Sequence, residues 1–73
     1  MNQNKYETEE IYEILKKRII QLEYEPGLVL NEVEVGEEFN TSRTPIRRVF
    51  QLLSTDKLLN IVPRFGAQVT PID

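Results

Sequence analysis

The 73-residue chain has no cysteine and no histidine. Without cysteine there is no disulfide framework and no thiolate metal site. Without histidine the commonest general base and the commonest neutral metal ligand are both missing. Long apolar runs are missing too. None exceeds the three residues of Leu28-Val29-Leu30, far short of a membrane span. The opening Met1-Asn2-Gln3-Asn4-Lys5 has no apolar stretch and does not read as a signal peptide, so a soluble cytoplasmic domain is expected. A chain this short buries only about 60% of the surface it exposes when unfolded. Barrels, doubly wound sheets and deep substrate cavities are therefore excluded. The carboxylates Glu7, Glu9, Glu10 and Glu13 cluster at a helix start and, with no histidine beside them, read as solvated surface rather than a metal site. No nucleophile–base pair stands out, so neither an enzyme nor a cofactor in this domain is expected.

What is present is a globular composition, 40% hydrophobic and 29% charged, with net charge −3. The average conceals a split. Residues 1–40 carry 4 Lys/Arg against 10 Asp/Glu, a net −6, and residues 41–73 carry 5 against 2, a net +3. One end of the fold suits an anionic partner and the other does not. Charge alone leaves open the plainer reading, in which the acidic residues only solvate two exposed helices.

The pattern along the chain resolves into six elements. Residues 1–7 are polar and read as a flexible end. Thr8, Glu9 and Glu10 open a first helix whose apolar positions, Ile11, Leu15, Ile19 and Leu22, recur at helical spacing. Lys16, Lys17 and Arg18 lie toward its C-terminal half, where cations complement the helix dipole. The helix is expected over about Thr8 to Glu23, stopped by Pro26-Gly27. Leu28-Val29-Leu30 is a stub of strand or a buried turn. Asn31 with Glu34 three positions on resembles a capping box and begins a short second helix, with Val35 and Phe39 inward. Gly36 inside it costs roughly 1 kcal/mol relative to alanine. Gly36→Ala is therefore expected to stabilise by up to about that amount if the helices leave room for a methyl group. Asn40-Thr41-Ser42 is a turn. The third helix, about 42–56, places Ile46, Val49, Phe50 and Leu53 on one apolar stripe, with Pro45 tolerated in its first turn. Leu59 to Thr70 then alternates as a two-stranded hairpin about Arg64-Phe65-Gly66.

A short helix, a tight turn, a helix with a basic face and a hairpin together make a winged helix-turn-helix. The expected fold is mainly α, three helices plus a two-stranded wing and a short third strand, over residues 8–72. The opposite face of the third helix carries Arg43, Thr44, Arg47, Arg48, Gln51 and Ser54, with no acidic residue before Asp56. A helix fits the major groove of double-stranded DNA, and its N-terminal residues meet base edges. Arg43 and Arg47, four apart, suit bidentate contact with guanine, and Thr44 suits a phosphate or a thymine methyl. Ser42 and the free N–H groups of the helix start suit a phosphate. Arg48 lies about 100° around the helix from Arg47, on a face either solvated or at the edge of the duplex. Arg64 suits a phosphate or the minor groove from the wing, the hairpin of about 59–70, with Gly66 beside it. For Phe65 two readings stand, an exposed wing tip or a ring folded onto the core. A winged helix used for protein–protein contact is the alternative function, and it calls for an exposed apolar patch in place of this Arg-Thr face.

The residues also resemble a known family. Pro26-Gly27, Leu30-Asn31-Glu32-Val33-Glu34, Thr41-Ser42-Arg43-Thr44-Pro45-Ile46-Arg47, the Leu53, Asp56 and Leu58 segment, and Pro63 with Gly66-Ala67-Gln68-Val69 are together similar to the GntR-type winged helix. The spacing from Pro26-Gly27 to Ser42 looks most like the FadR/FCD branch. The resemblance implies a bacterial transcription regulator, a homodimer on a pseudo-palindromic operator. It also implies a C-terminal effector-binding domain for a small molecule, absent from these residues. Against the family pattern, Arg48 stands in place of Glu, Asn40 and Lys57 in place of glycines and Gly36 in place of alanine. Phe65 holds a wing position that is often Arg. The glycine usual at Lys57 implies a positive φ there.

Overall fold

The computed structural model describes residues 6–71, and within them the chain runs α1 (Thr8–Ile20), β1 (Val29–Asn31), α2 (Glu32–Glu38), α3 (Arg43–Thr55), β2 (Leu59–Val62) and β3 (Gly66–Val69). The first five residues of the expected flexible end lie outside the described residues. Tyr6 does not hang free: its ring packs edge-on against Phe39, centroids 5.2 Å apart at 89°. Glu7 is the N-cap of α1, and its backbone N–H donates to the Glu10 side chain at 2.8 Å.

α3 is the hub. Its stripe of Ile46, Val49, Phe50 and Leu53 is fully buried and meets Ile11, Leu15 and Ile19 of α1, Val35 of α2 and Phe39 at its C-cap, and Leu30, Leu59, Ala67 and Val69 of the sheet. Burying a side chain the size of Phe50 contributes on the order of 2–3 kcal/mol. This shared core is what makes seven residues of α2 helical, since so short a helix is unstable alone. Tyr12 donates to the Asp56 carboxylate, tying α1 to the end of α3. That bond, which the phenol makes as a donor, raises the Tyr12 pKa above its ordinary value.

The sheet is antiparallel in the order β1-β3-β2, so the last strand in sequence is central. β1 is the short third strand of the wing. It pairs Val29 with Gln68, Leu30 with Ala67 and Asn31 with Gly66. A Cβ at Gly66 would lie 2.0 Å from the Leu30 carbonyl oxygen, and its φ of 147° is open mainly to glycine. Only glycine lets β3 cross β1 this closely.

Each helix ends in the same way, with a residue in the left-handed conformation and two backbone bonds closing the last turn. For α1 the residue is Leu22 (φ 65°), with Leu22 N–H donating to Ile19 and Glu23 N–H to Arg18. α2 uses Asn40 (φ 55°), with Asn40 N–H donating to Glu37 and Thr41 N–H to Gly36. α3 uses Lys57 (φ 66°), with Lys57 N–H donating to Ser54 and Leu58 N–H to Leu53. The positive φ implied for Lys57 is thus present. α1, by contrast, stops at Ile20, three residues short of the expected end. Leu22 is 56% exposed and does not join the inner stripe. The cause is the Arg18 carbonyl, which takes both Glu23 N–H and Tyr24 N–H and folds the chain back.

Gly36 corrects the expectation of a stabilising methyl. A Cβ there would sit 2.9 Å from the Thr41 carbonyl oxygen and 3.4 Å from that of Ser42. Both are backbone atoms and cannot swing aside. Overpacking of this kind costs about 1–3 kcal/mol, more than the helix propensity of alanine returns. Gly36→Ala is expected to lower stability by about 1 kcal/mol or more in thermal or urea unfolding. Lys57→Gly is expected to do the reverse, raising stability by up to about 1 kcal/mol. Relief of the left-handed strain of an L residue there outweighs the extra backbone entropy that glycine loses on folding.

Candidate nucleic-acid interface

The close turn at Gly36 sets α3 against α2 so that α3 presents its N-terminal half to solvent. Ser42 is the N-cap of α3 with an extended backbone (φ −79°, ψ 177°), and its hydroxyl makes no cap hydrogen bond. That hydroxyl is exposed beside the first N–H groups of α3, which have no carbonyl within the helix. Pro45 sits in the first turn, where the donor it lacks had no partner to lose. Arg43, Thr44, Arg47, Arg48 and Gln51 are all exposed, while Ile46, Val49 and Phe50 between them are buried. Burial of the stripe therefore forces the basic residues outward.

Opposite α3 stands the wing. Its turn runs Val62-Pro63-Arg64-Phe65, closed by Phe65 N–H donating to the Val62 carbonyl at 3.0 Å. Pro at the second position and a positive φ at the third, 72° at Arg64, follow the pattern of a type II turn. Arginine holds a position that usually favours glycine. Phe65 is 64% exposed, which settles the two readings: it is a wing tip, not a core residue.

Between wing and helix lies a cleft of about 250 Å³ lined by Glu32, Arg43, Arg47, Phe50, Gln51, Ile61, Val62, Pro63, Arg64 and Gly66. Of the expected site residues, the fold brings Arg43, Arg47, Arg64 and the backbone of Gly66 into this one cleft. Ser42, Thr44 and Arg48 lie outside it, on the exposed first turns of α3.

Glu32 is the member that no pattern in the sequence marks as part of a site. It is the first residue of α2, immediately after the N-cap Asn31, whose side-chain oxygen accepts from Val33 N–H (2.8 Å) and Glu34 N–H (3.1 Å). Its carboxylate takes two hydrogen bonds from Arg47, Nε to Oε2 and Nη2 to Oε1, both 3.2 Å. This bond raises the Arg47 pKa, so the guanidinium stays charged. Fifteen residues separate the partners, and no local pattern announces the pair. Arg18 does more than complement the helix dipole. It donates to the Tyr24 hydroxyl at 2.7 Å, pairs with Glu38 at 2.5 Å, and lies 5.6 Å from the centroids of both the Tyr24 and Phe39 rings. The Glu38 bond raises its pKa further. Arg18 thus locks α1 to α2 on the side chains flanking the turn. Among the described residues no group of His, Cys, Asp and Glu is placed to hold a metal ion, and no helix is long and apolar enough to cross a membrane.

Three helices, a tight turn between the second and third, and a three-stranded wing beside an exposed basic helix define a winged helix-turn-helix. Comparison with known proteins agrees. The family profile described as "Bacterial regulatory proteins, gntR family" matches residues 7–69, and the chain belongs to that family. It is similar to the HTH-type transcriptional repressor RspR of Escherichia coli K12, 39% identical over 64 residues that cover 88% of this chain and 28% of that protein. It is also similar to the HTH-type transcriptional regulator YieP of the same strain, 42% identical over 60 residues, 81% of this chain and 26% of that protein. The crystal structure of a GntR-family transcriptional regulator from Pseudomonas syringae pv. tomato superimposes with a TM-score of 0.80 at 31% identity, covering 89% of this chain and 27% of that one. The chain therefore spans little more than a quarter of the length of the relatives it matches. The family is one of regulators, not of enzymes.

Proposed function

We propose that this chain is the sequence-specific DNA-binding domain of a GntR-type transcription regulator, with α3 in the major groove and the wing on the adjacent backbone or minor groove. The observation that carries the reading is the α3 face. Every exposed position from Arg43 to Gln51 is polar or cationic, and Arg64 reaches the same cleft from the wing. A protein-docking face would carry an apolar patch there instead. Arg43 in the first turn and Arg47 in the second are the base readers. Ser42, Thr44 and Arg64 bind phosphate, with the N–H groups of the α3 start assisting. Arg48 adds positive charge at the border of the face, and the Gly66 backbone allows close approach at the wing.

The intact regulator works in the cytoplasm as a homodimer on a pseudo-palindromic operator, since two linked half-sites supply affinity that one small module lacks. It belongs to the FadR/FCD branch, on the spacing from Pro26-Gly27 to Ser42. A small-molecule effector acts through a C-terminal domain.

The test uses duplexes selected by residues 1–73 from a random pool, compared with scrambled duplexes at two salt concentrations. Arg47→Ala and Arg43→Ala should each cost about 1–3 kcal/mol on the selected duplex and far less on the scrambled one. Arg64→Ala should weaken both alike and lower the salt slope by about one unit. If both α3 substitutions leave binding to the selected duplex unchanged, α3 is not the recognition helix.

A further inference from the structure

We propose that Glu32 is a specificity-determining residue of the DNA site, acting on Arg47 as a positioning group and as a local counter-charge; this rests on the DNA-binding reading above. A carboxylate on the anion-binding side of a protein is costly unless it does something there, and this one faces into the cleft between α3 and the wing. Its backbone is held from two sides. Asn31, just before it, pairs with Gly66 in the sheet and caps α2 with its side chain. The carboxylate is the better covered partner, its side chain 20% exposed against 59% for Arg47. The rigid acid therefore places the flexible base.

The geometry of the pair decides what Arg47 has left to offer. A guanidinium has five N–H donors in a planar fork. Glu32 takes Nε and one hydrogen of Nη2. The end-on edge, Nη1 with the remaining Nη2 hydrogen, stays unengaged, and a guanine edge with its O6 and N7 acceptors is matched by two such parallel donors. The pair thus leaves Arg47 the edge that suits a base and occupies the one it would otherwise share with a phosphate. Charge works in the same direction. An unpaired Arg47 would bind any backbone phosphate, whatever the sequence. Paired with Glu32, it contributes little net charge to non-specific binding. Arg43 has no such partner among the described residues.

The test compares residues 1–73 with Glu32→Gln and Glu32→Asp on the selected and scrambled duplexes, across a salt series. Glu32→Gln is expected to raise affinity for the scrambled duplex several-fold and steepen its salt slope by about one unit. Affinity for the selected duplex falls, so that the ratio between the two drops about tenfold or more. Glu32→Asp keeps the charge and loses the reach. It is expected to lower affinity for the selected duplex while leaving the scrambled duplex and its salt slope unchanged. In an Arg47→Ala background Glu32→Gln should no longer change the ratio between the two duplexes, because the two residues act as one unit in specificity; removing the bare carboxylate then strengthens both duplexes alike. Equal loss on both duplexes, at an unchanged salt slope, would mark a purely structural role and overturn the inference. So would an unchanged ratio in both Glu32 variants, whose folding thermal unfolding checks independently. If the unsubstituted chain fails to discriminate selected from scrambled DNA, it is the DNA-binding reading that fails.

Discussion

The working geometry of this domain depends on a missing side chain. At Gly36 the α2 backbone comes so near the following turn that a Cβ would meet the Thr41 carbonyl oxygen at 2.9 Å, and the Gly36 carbonyl accepts from Thr41 N–H at 2.8 Å. This contact sets how steeply the chain turns from α2 into α3. With the angle set, the stripe from Ile46 to Leu53 reaches the core, and the basic face looks outward. The same angle carries Glu32, at the far end of α2, to within hydrogen-bonding distance of Arg47. Closeness at the turn thus reappears as order in the cleft.

The charge asymmetry of the chain acquires a more specific meaning in three dimensions. The acidic half is not only solvated surface. Glu38 pairs with Arg18 on one side of the turn, and Glu32 pairs with Arg47 on the other. Pairs with one partner open to solvent add little stability, typically below about 1 kcal/mol. Their consequence is placement. Arg18, held between the rings of Tyr24 and Phe39, joins the folded-back end of α1 to α2. Arg47 is held in the cleft between α3 and the wing.

Left-handed residues punctuate the fold where glycine would be easiest. Leu22, Asn40 and Lys57 end the three helices, and Arg64 makes the wing turn. Each such L residue costs about 1–2 kcal/mol relative to a right-handed conformation. At the helix ends two backbone bonds offset that cost, and at the end of α3 the following residue adds a hydrophobic contact. Leu58, the residue after Lys57, does this by packing on the core. At Arg64 and Phe65 the gain is of another kind: a cation and an exposed ring stand at the tip of the wing.

The sequence by itself determined the three helices and the hairpin, the apolar stripes of α2 and α3, that of α1 from Ile11 to Ile19, and the cationic exposed face. Each of these is written in local periodicity, and burial follows periodicity whenever one face must leave water. It also marked Asn31 as a cap, while the left-handed Lys57 was implied by the family resemblance. Three matters were left to the tertiary structure. Whether Gly36 had room for a methyl group depended on carbonyls five and six residues away, placed by the turn. The end of α1 was decided by the Arg18 carbonyl and by Tyr24 folding back on Arg18, not by Pro26-Gly27. The partner of Arg47 was an acid across the turn, on another helix, which no spacing rule connects to it. Periodicity describes which way a side chain faces from its own element. What it then meets is set by how the elements cross, and here one close backbone contact sets that crossing.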